Sequence, residues 1–272
     1  MTLAHLGPIT PDQLWSSWAF DPLLAAGLVF GAVLYRTGER HLPGRDHPAR
    51  HAAAAYASLA LVAVTIMSPL DALSETLFSA HMVQHLLLIL VVPPLLLLGR
   101  TGRTMLMGLP VTVRRGVNAM LRRRRSLVEF LLHPAVVVSL HAVVLWLWHA
   151  PGPYEAALGS EWLHAVEHGS FVITALGVWR VALSRQANLG IRIGVVFATA
   201  LQSGLLAAAL LFAGQPLYPS LGQAAYAWGL TPLSDQQLAA VVMWVPMGLT
   251  YLVVVLGIAF RGFRRLELVG HA

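Results

Sequence analysis

The sequence has no cysteine and no lysine, and only 11% of its 272 residues are charged. Without cysteine there can be no disulfide, and none of the thiolate ligands on which most soluble copper carriers depend. Without lysine, all 18 basic residues are arginines. The shortage of charge, set against 57% hydrophobic residues and a mean hydropathy of +0.68, excludes a water-soluble globule, because too few polar side chains remain to coat one. No internal repeat or low-complexity stretch stands out. The first residues carry no positive cluster, and the first apolar run is long enough to span and stay, so no cleavable leader is expected.

What is present is a series of long apolar runs. A membrane-crossing helix needs roughly 20 such residues, and seven stretches qualify, at about 18–36, 50–68, 79–99, 131–150, 162–181, 191–213 and 235–260. The expected fold is therefore all-α, a single polytopic domain folded as a seven-transmembrane helix bundle. The arginines fall in every second connection, Arg36 to Arg50, Arg100 to Arg125 and Arg180 to Arg192, and again at Arg261 to Arg265. The N-terminal segment and the stretches near 69–80, 150–161 and 214–234 have none. By the positive-inside rule the orientation is N-out/C-in. Between 100 and 130, Arg114, Arg115 and Arg122 to Arg125 alternate with Val111, Val113, Val117, Met120 and Leu121. That pattern predicts an amphipathic helix on anionic lipid at the inner face and no nucleic-acid partner.

Histidines punctuate the runs. His81 and His85 open the third run four residues apart, so they share a helix face. Such a pair either grips a metal ion or packs through hydrogen bonds. His164 and His168 repeat the spacing at the start of the fifth run, with Glu161 three residues before His164, a spacing used by carboxylate–histidine sites in bundles. The helix dipole also accounts for Glu161. Glu167, next to His168, is expected to face elsewhere or to support the ligands. His149 closes the fourth run, and Asp235 opens the seventh as either a first-turn acid or an anionic ligand, with Ser234 and Gln237 fitting a capping box. His141 lies eight residues deeper than His149, on the order of 12 Å at about 1.5 Å per residue, and reads as a buried hydrogen-bonded residue.

Other features read as structural. Pro93 and Pro94 remove the donors that would reach Ile89 and Leu90, which predicts a kink buried among neighbours able to satisfy the freed carbonyls. Met243 and Met247, one turn apart, read as packing. The inner-loop histidines His41, His47 and His51 read as solvated, and His5 as part of a mobile terminus. With N-out topology, His81, His85, His149, His164, His168 and Asp235 come from four runs and share the outer end, which favours a metal site over packing. Imidazoles with a carboxylate suit copper, zinc or iron. The same cluster admits a metal-dependent membrane hydrolase or oxidoreductase with Glu167 or Asp235 as base, and a bis-histidine haem protein.

Several strings together carry a family resemblance. Ser79-Ala-His81-Met-Val-Gln-His85 followed by Pro93-Pro94-Leu-Leu-Leu-Leu-Gly99, Leu147-Trp148-His149-Ala-Pro151, Trp162-Leu-His164-Ala-Val-Glu167-His168, and Asp235-Gln236-Gln237-Leu-Ala with Met243-Trp244-Val-Pro246 occur in order. In this the chain resembles the CtaG family of bacterial cytochrome c oxidase assembly factors, named for the caa(3)-type oxidase. A single-helix copper chaperone with cysteines shares that name and is not similar to this chain. The resemblance implies a multi-pass protein of the bacterial inner membrane needed to form active oxidase, acting with cytochrome c oxidase subunits at the copper-delivery stage; the outer-face cluster adds the expectation of a periplasmic copper donor. On that reading the chain is an assembly factor or metallochaperone rather than an enzyme, with His81, His85, His164 and His168 holding the ion and His149 and Asp235 completing or exchanging its coordination.

Overall fold

The structure is a computed structural model that describes residues 8–42, 48–218 and 223–270, with side chains at 263 and 265–270 outside the description. His5 and His47 lie outside the described residues. Among the described residues the chain is 81% helix with no strand. The helices are α1 (Pro22–Glu39), α2 (Ala49–Met67), α3 (Pro69–Ser74), α4 (Phe78–Leu86), α5 (Val92–Leu98), α6 (Thr101–Gly108), α7 (Val111–Arg123), α8 (Arg125–Leu131), α9 (Pro134–Trp148), α10 (Pro151–Leu158), α11 (Glu161–Leu183), α12 (Leu189–Leu211) and α13 (Pro232–Gly270).

Four stretches are long and apolar enough to cross a membrane: Ala49–Met67, Phe78–Leu98, Leu189–Leu211 and Pro232–Gly262. A fifth exists if α8 and α9, bent by 65° across the two-residue break at Leu132 and His133, count as one. The seven runs read from the sequence go beyond this count. α1 and α11 are 18 and 23 residues long, but α1 ends in Arg36 and Glu39, and α11 includes His164, Glu167, His168 and Arg180. The run expected at 131–150 is shortened, because Pro134 starts a new helix of 15 residues, about 22 Å at the usual rise. Large apolar side chains face outward along these helices, among them Phe30, Ile173, Phe197 and Val253. Such a surface is tolerated in lipid and not in water, so the chain is a membrane protein.

The core lies where α4, α9, α11, α12 and α13 meet, with Phe171, Leu145, Leu206, Ala239 and Met243 fully buried in one cluster. α1 packs on α6 along a seam of glycines. A Cβ at Gly38 would sit 1.8 Å from the Thr104 carbonyl oxygen, and one at Gly108 would sit 2.1 Å from that of Leu34, so only glycine permits this approach. α7 buries no residue; Arg115, Arg122 and Arg123 are exposed with Val111, Val113, Met120 and Leu121, while Arg114 is half-buried, as expected of an amphipathic surface helix.

Two local expectations take a different form in the structure. In place of a simple proline kink, α4 passes through a π turn, Leu87–Val91, into α5, whose first turn holds Pro93 and Pro94. Such turns often adjoin functional residues, and His85 is two residues upstream. Ser234 is not the cap of α13. Thr231 is, with the Ser234 N–H donating to its Oγ1 at 3.1 Å and the Thr231 N–H donating to Ser234 Oγ at 2.8 Å. Pro232 at the first helical position moves the start three residues upstream. Of the arginine-free connections, those near 69–80 and 150–161 are largely helical, forming α3 and α10, each begun by a proline.

Candidate metal centre

The local sequence aims each histidine inward. On α4, His81 and His85 share the buried face, and Gln84 between them ties the helix down, its Nε2 donating to the Thr65 carbonyl at 2.9 Å and to Asp71 Oδ1 at 2.8 Å. The N-terminus of α4 has no cap of its own. Asp235, on α13, supplies one: its carboxylate accepts the N–H of Phe78 at 2.7 Å, the N–H of Ser79 at 3.2 Å and the hydroxyl of Ser79 at 2.5 Å. On α11, Ser160 caps the helix and starts the register that places His164, Glu167 and His168 on its buried side.

These helices bring the imidazoles together. Ring centroids are 4.2 Å apart for His81 and His85 and for His164 and His168, 5.4 Å for His85 and His168, 5.6 Å for His81 and His164, and 6.0 Å for His85 and His149. Glu167 sits between the first two: its Oε1 is 3.7 Å from His81 Nε2 and 3.5 Å from His85 Nε2. All three side chains are buried, and one donor atom from each lies within 4.8 Å of the others. Both Glu167 oxygens, the Nε2 atoms of His81, His85 and His168, and Nδ1 of His85 have no hydrogen-bond partner among the described residues. Each such group costs roughly 1–3 kcal/mol, more for a charged one. A tetrahedral ion with bonds of about 2.1 Å has ligand-to-ligand edges of about 3.4 Å, close to the two nitrogen–oxygen distances. The donor set therefore fits a cation.

Adjacent residues on a helix are about 100° apart, so Glu167 and His168 border the same cluster from two sides. Glu167 therefore does not face elsewhere but stands beside the His81 and His85 donor atoms; its position three residues after His164 is the sequence signal for that. Glu161 is exposed in the first turn of α11. His141 is buried away from the ion-binding atoms, its Nδ1 2.9 Å from Thr174 Oγ1. The Thr174 hydroxyl itself donates to the Ser170 carbonyl at 2.9 Å, so the ring donates to Thr174. Met243 and Met247 belong to the apolar core, His51 binds the Leu98 carbonyl, and His41 lies at a surface cavity with Met107 and Arg114.

Aromatic rings close the cluster. Tyr154 packs edge-on against His81 at 5.2 Å and against Tyr218 and Phe78, and Phe171 covers His85 at 4.6 Å. The Tyr218 hydroxyl donates to the His149 carbonyl at 2.7 Å. Burial, with the nearby Glu167 carboxylate adding to it, pushes the phenols of Tyr154 and Tyr218 well above their ordinary range. Both therefore stay neutral.

Residues 28–265 match the family described as cytochrome c oxidase caa3 assembly factor (Caa3_CtaG). The chain belongs to that family. Two curated relatives are similar at 24% identity over 95% of this chain: the uncharacterized protein Mb0105 of Mycobacterium bovis and the uncharacterized protein MT0111 of Mycobacterium tuberculosis. The chain spans 41% of the length of each. No solved structure matches.

Proposed function

We propose that this chain binds a copper ion as cargo at the histidine–glutamate cluster and passes it to a subunit of cytochrome c oxidase during assembly. The observation that carries the reading is the meeting of His81, His85 and Glu167, buried and within 4.8 Å of one another, inside a family of oxidase assembly factors. His164 and His168 stand next to the trio and supply exchange partners. Transfer proceeds by exchange of one ligand at a time, since a closed four-coordinate structural site would not release its ion.

The proposed setting is the bacterial inner membrane, crossed seven times with the N-terminus outside and the C-terminus inside. Its support is the polarity of the bundle. The cluster residues sit at the starts of α4 and α11, with His149 at the end of α9, whereas Arg36 and Arg180 lie in the last turns of α1 and α11 and Arg100 follows α5. An outer-end site faces a periplasmic copper donor, and α7 lies on anionic lipid at the inner face.

The test is elemental analysis of the purified full chain after exposure to Cu(I), Cu(II) and Zn(II), beside His85→Ala and His168→Ala. The reading expects near-stoichiometric copper in the wild type and a loss in both variants, with oxidase maturation impaired in cells carrying them. Full copper in all three proteins overturns it.

A further inference from the structure

His149 has a contact that the cluster of His81, His85 and Glu167 does not use. Its Nδ1 is 2.7 Å from the Leu145 carbonyl oxygen. A carbonyl only accepts, so Nδ1 carries the proton and, in the neutral ring, Nε2 carries the lone pair. That lone pair faces the Met82 thioether, with Nε2 3.4 Å from Sδ. A thioether has no proton to give. Two buried acceptors therefore face each other, with Met82 2% and His149 5% exposed.

The residue is held further, because the Tyr218 hydroxyl donates to the His149 backbone carbonyl and the Phe171 ring lies 6.2 Å from the imidazole, centroid to centroid. Met82 is next to His81 in sequence and its helix is pinned by Asp235 and Gln84. Neither donor is free to drift from the other. An ion about 2.0 Å from the nitrogen and about 2.3 Å from the sulfur would see the pair at an angle of about 105°, near tetrahedral. A nitrogen–thioether pair is soft, which suits Cu(I) over Zn(II) or Cu(II).

We propose that Met82 and His149 form a second, soft position specific for a monovalent d10 ion, Cu(I), beside the nitrogen–oxygen position of His81, His85 and Glu167. His85 joins the two, with ring centroids 4.2 Å from His81 and 6.0 Å from His149. The inference rests on the copper reading above and deepens it. The carrier then holds Cu(I) on a thioether at one edge of the cluster, and the ion moves between the positions by exchange of His85, with no change of oxidation state. The sequence gives no signal for this, since Met82 has neither a spacing partner nor a polar neighbour apart from His81.

X-ray absorption on the full chain in detergent, loaded with Cu(I) under reducing conditions and separately with Ag(I), reads the ligand atoms directly. The wild type is expected to show a sulfur scatterer at about 2.3 Å. Met82→Leu, which conserves volume, is expected to lose that scatterer and to bind Cu(I) at least about tenfold more weakly, while Zn(II) binding stays at the wild-type level. Met243→Leu serves as the control and keeps the sulfur signal. Only nitrogen and oxygen scatterers in the wild type, or sulfur persisting in Met82→Leu, overturns the soft position and leaves the copper reading standing. Absence of all metal from the wild type overturns both. The wild-type spectrum decides the matter even if Met82→Leu fails to fold.

Discussion

Asp235 binds Ser79 twice, accepting from its backbone N–H at 3.2 Å and from its hydroxyl at 2.5 Å, across 156 residues of sequence. Together with the Phe78 N–H, this makes the first turn of α13 the N-terminal cap of the helix that carries His81 and His85. A capping carboxylate satisfies orphan N–H groups and complements the helix dipole. The aim of the two imidazoles therefore depends on a residue from another helix.

Asp235→Asn keeps one acceptor oxygen and loses the charge. Charge-assisted hydrogen bonds are roughly twice as strong as neutral ones, so the variant is expected to lose about 1–2 kcal/mol of stability, read as a lower melting temperature in detergent. Metal affinity should fall by about tenfold, the scale seen when a residue supporting a ligand is changed. Complete loss of metal with the fold intact would instead make Asp235 a direct ligand.

A second relationship explains how the helix survives its prolines. Pro93 has no N–H to give to the Ile89 carbonyl, and the Trp179 indole N–H donates to that oxygen instead, at 2.8 Å. Trp179→Phe removes the donor, keeps an aromatic ring, and leaves a buried acceptor unpaired. The expected loss is about 1–3 kcal/mol. Hydrogen exchange should rise locally across the π turn and α5, and a protein whose exchange is unchanged there would show that Trp179 contributes packing alone.

Much of this was legible in the sequence, and the boundary follows from range. Four-residue spacing put His81 with His85 and His164 with His168, because helical periodicity is local. Arginine placement alone predicts that all the clustered residues lie at one end of the bundle. The freed Ile89 carbonyl was also readable, since proline's missing donor is a property of one residue. The identity of its partner, Trp179, was not, being set by the packing of α11 on the π turn. Adjacency to His168 does not by itself tell whether Glu167 faces the cluster, because a step of about 100° leaves room for both at one cluster. The role of Asp235 as a cap for α4 depends on two helices meeting end to end, and no local pattern encodes that.

Glu167→Gln separates binding from stability by giving them opposite signs. The carboxylate is fully buried and has no hydrogen-bond partner for either oxygen among the described residues. Without a metal, an uncompensated buried charge is destabilising. The neutral amide is nearly the same shape and should therefore raise the melting temperature of the metal-free protein while lowering metal affinity by about 10- to 100-fold. Thermal scans with and without added Zn(II) or Cu(I) measure both. A variant that is less stable in the metal-free state and binds metal normally would assign Glu167 a purely structural role.

Protons and metal compete for the same atoms, which fixes the direction of the pH dependence. An imidazole binds an ion only through an unprotonated nitrogen, and a carboxylate only when ionised, so binding releases whatever protons those groups hold. Affinity should therefore rise with pH and fall on acidification, with a steeper slope for the wild type than for His85→Ala, which has one competing group fewer. The same linkage shows in stability. A ligand at about 100 times its dissociation constant stabilises the folded state by about 2.7 kcal/mol, so the rise in melting temperature on adding metal should shrink as the pH is lowered. Isothermal titration across a pH series, with buffers of different ionisation enthalpy to count released protons, checks the slope. A pH-independent affinity would place the ion on groups other than His81, His85 and Glu167.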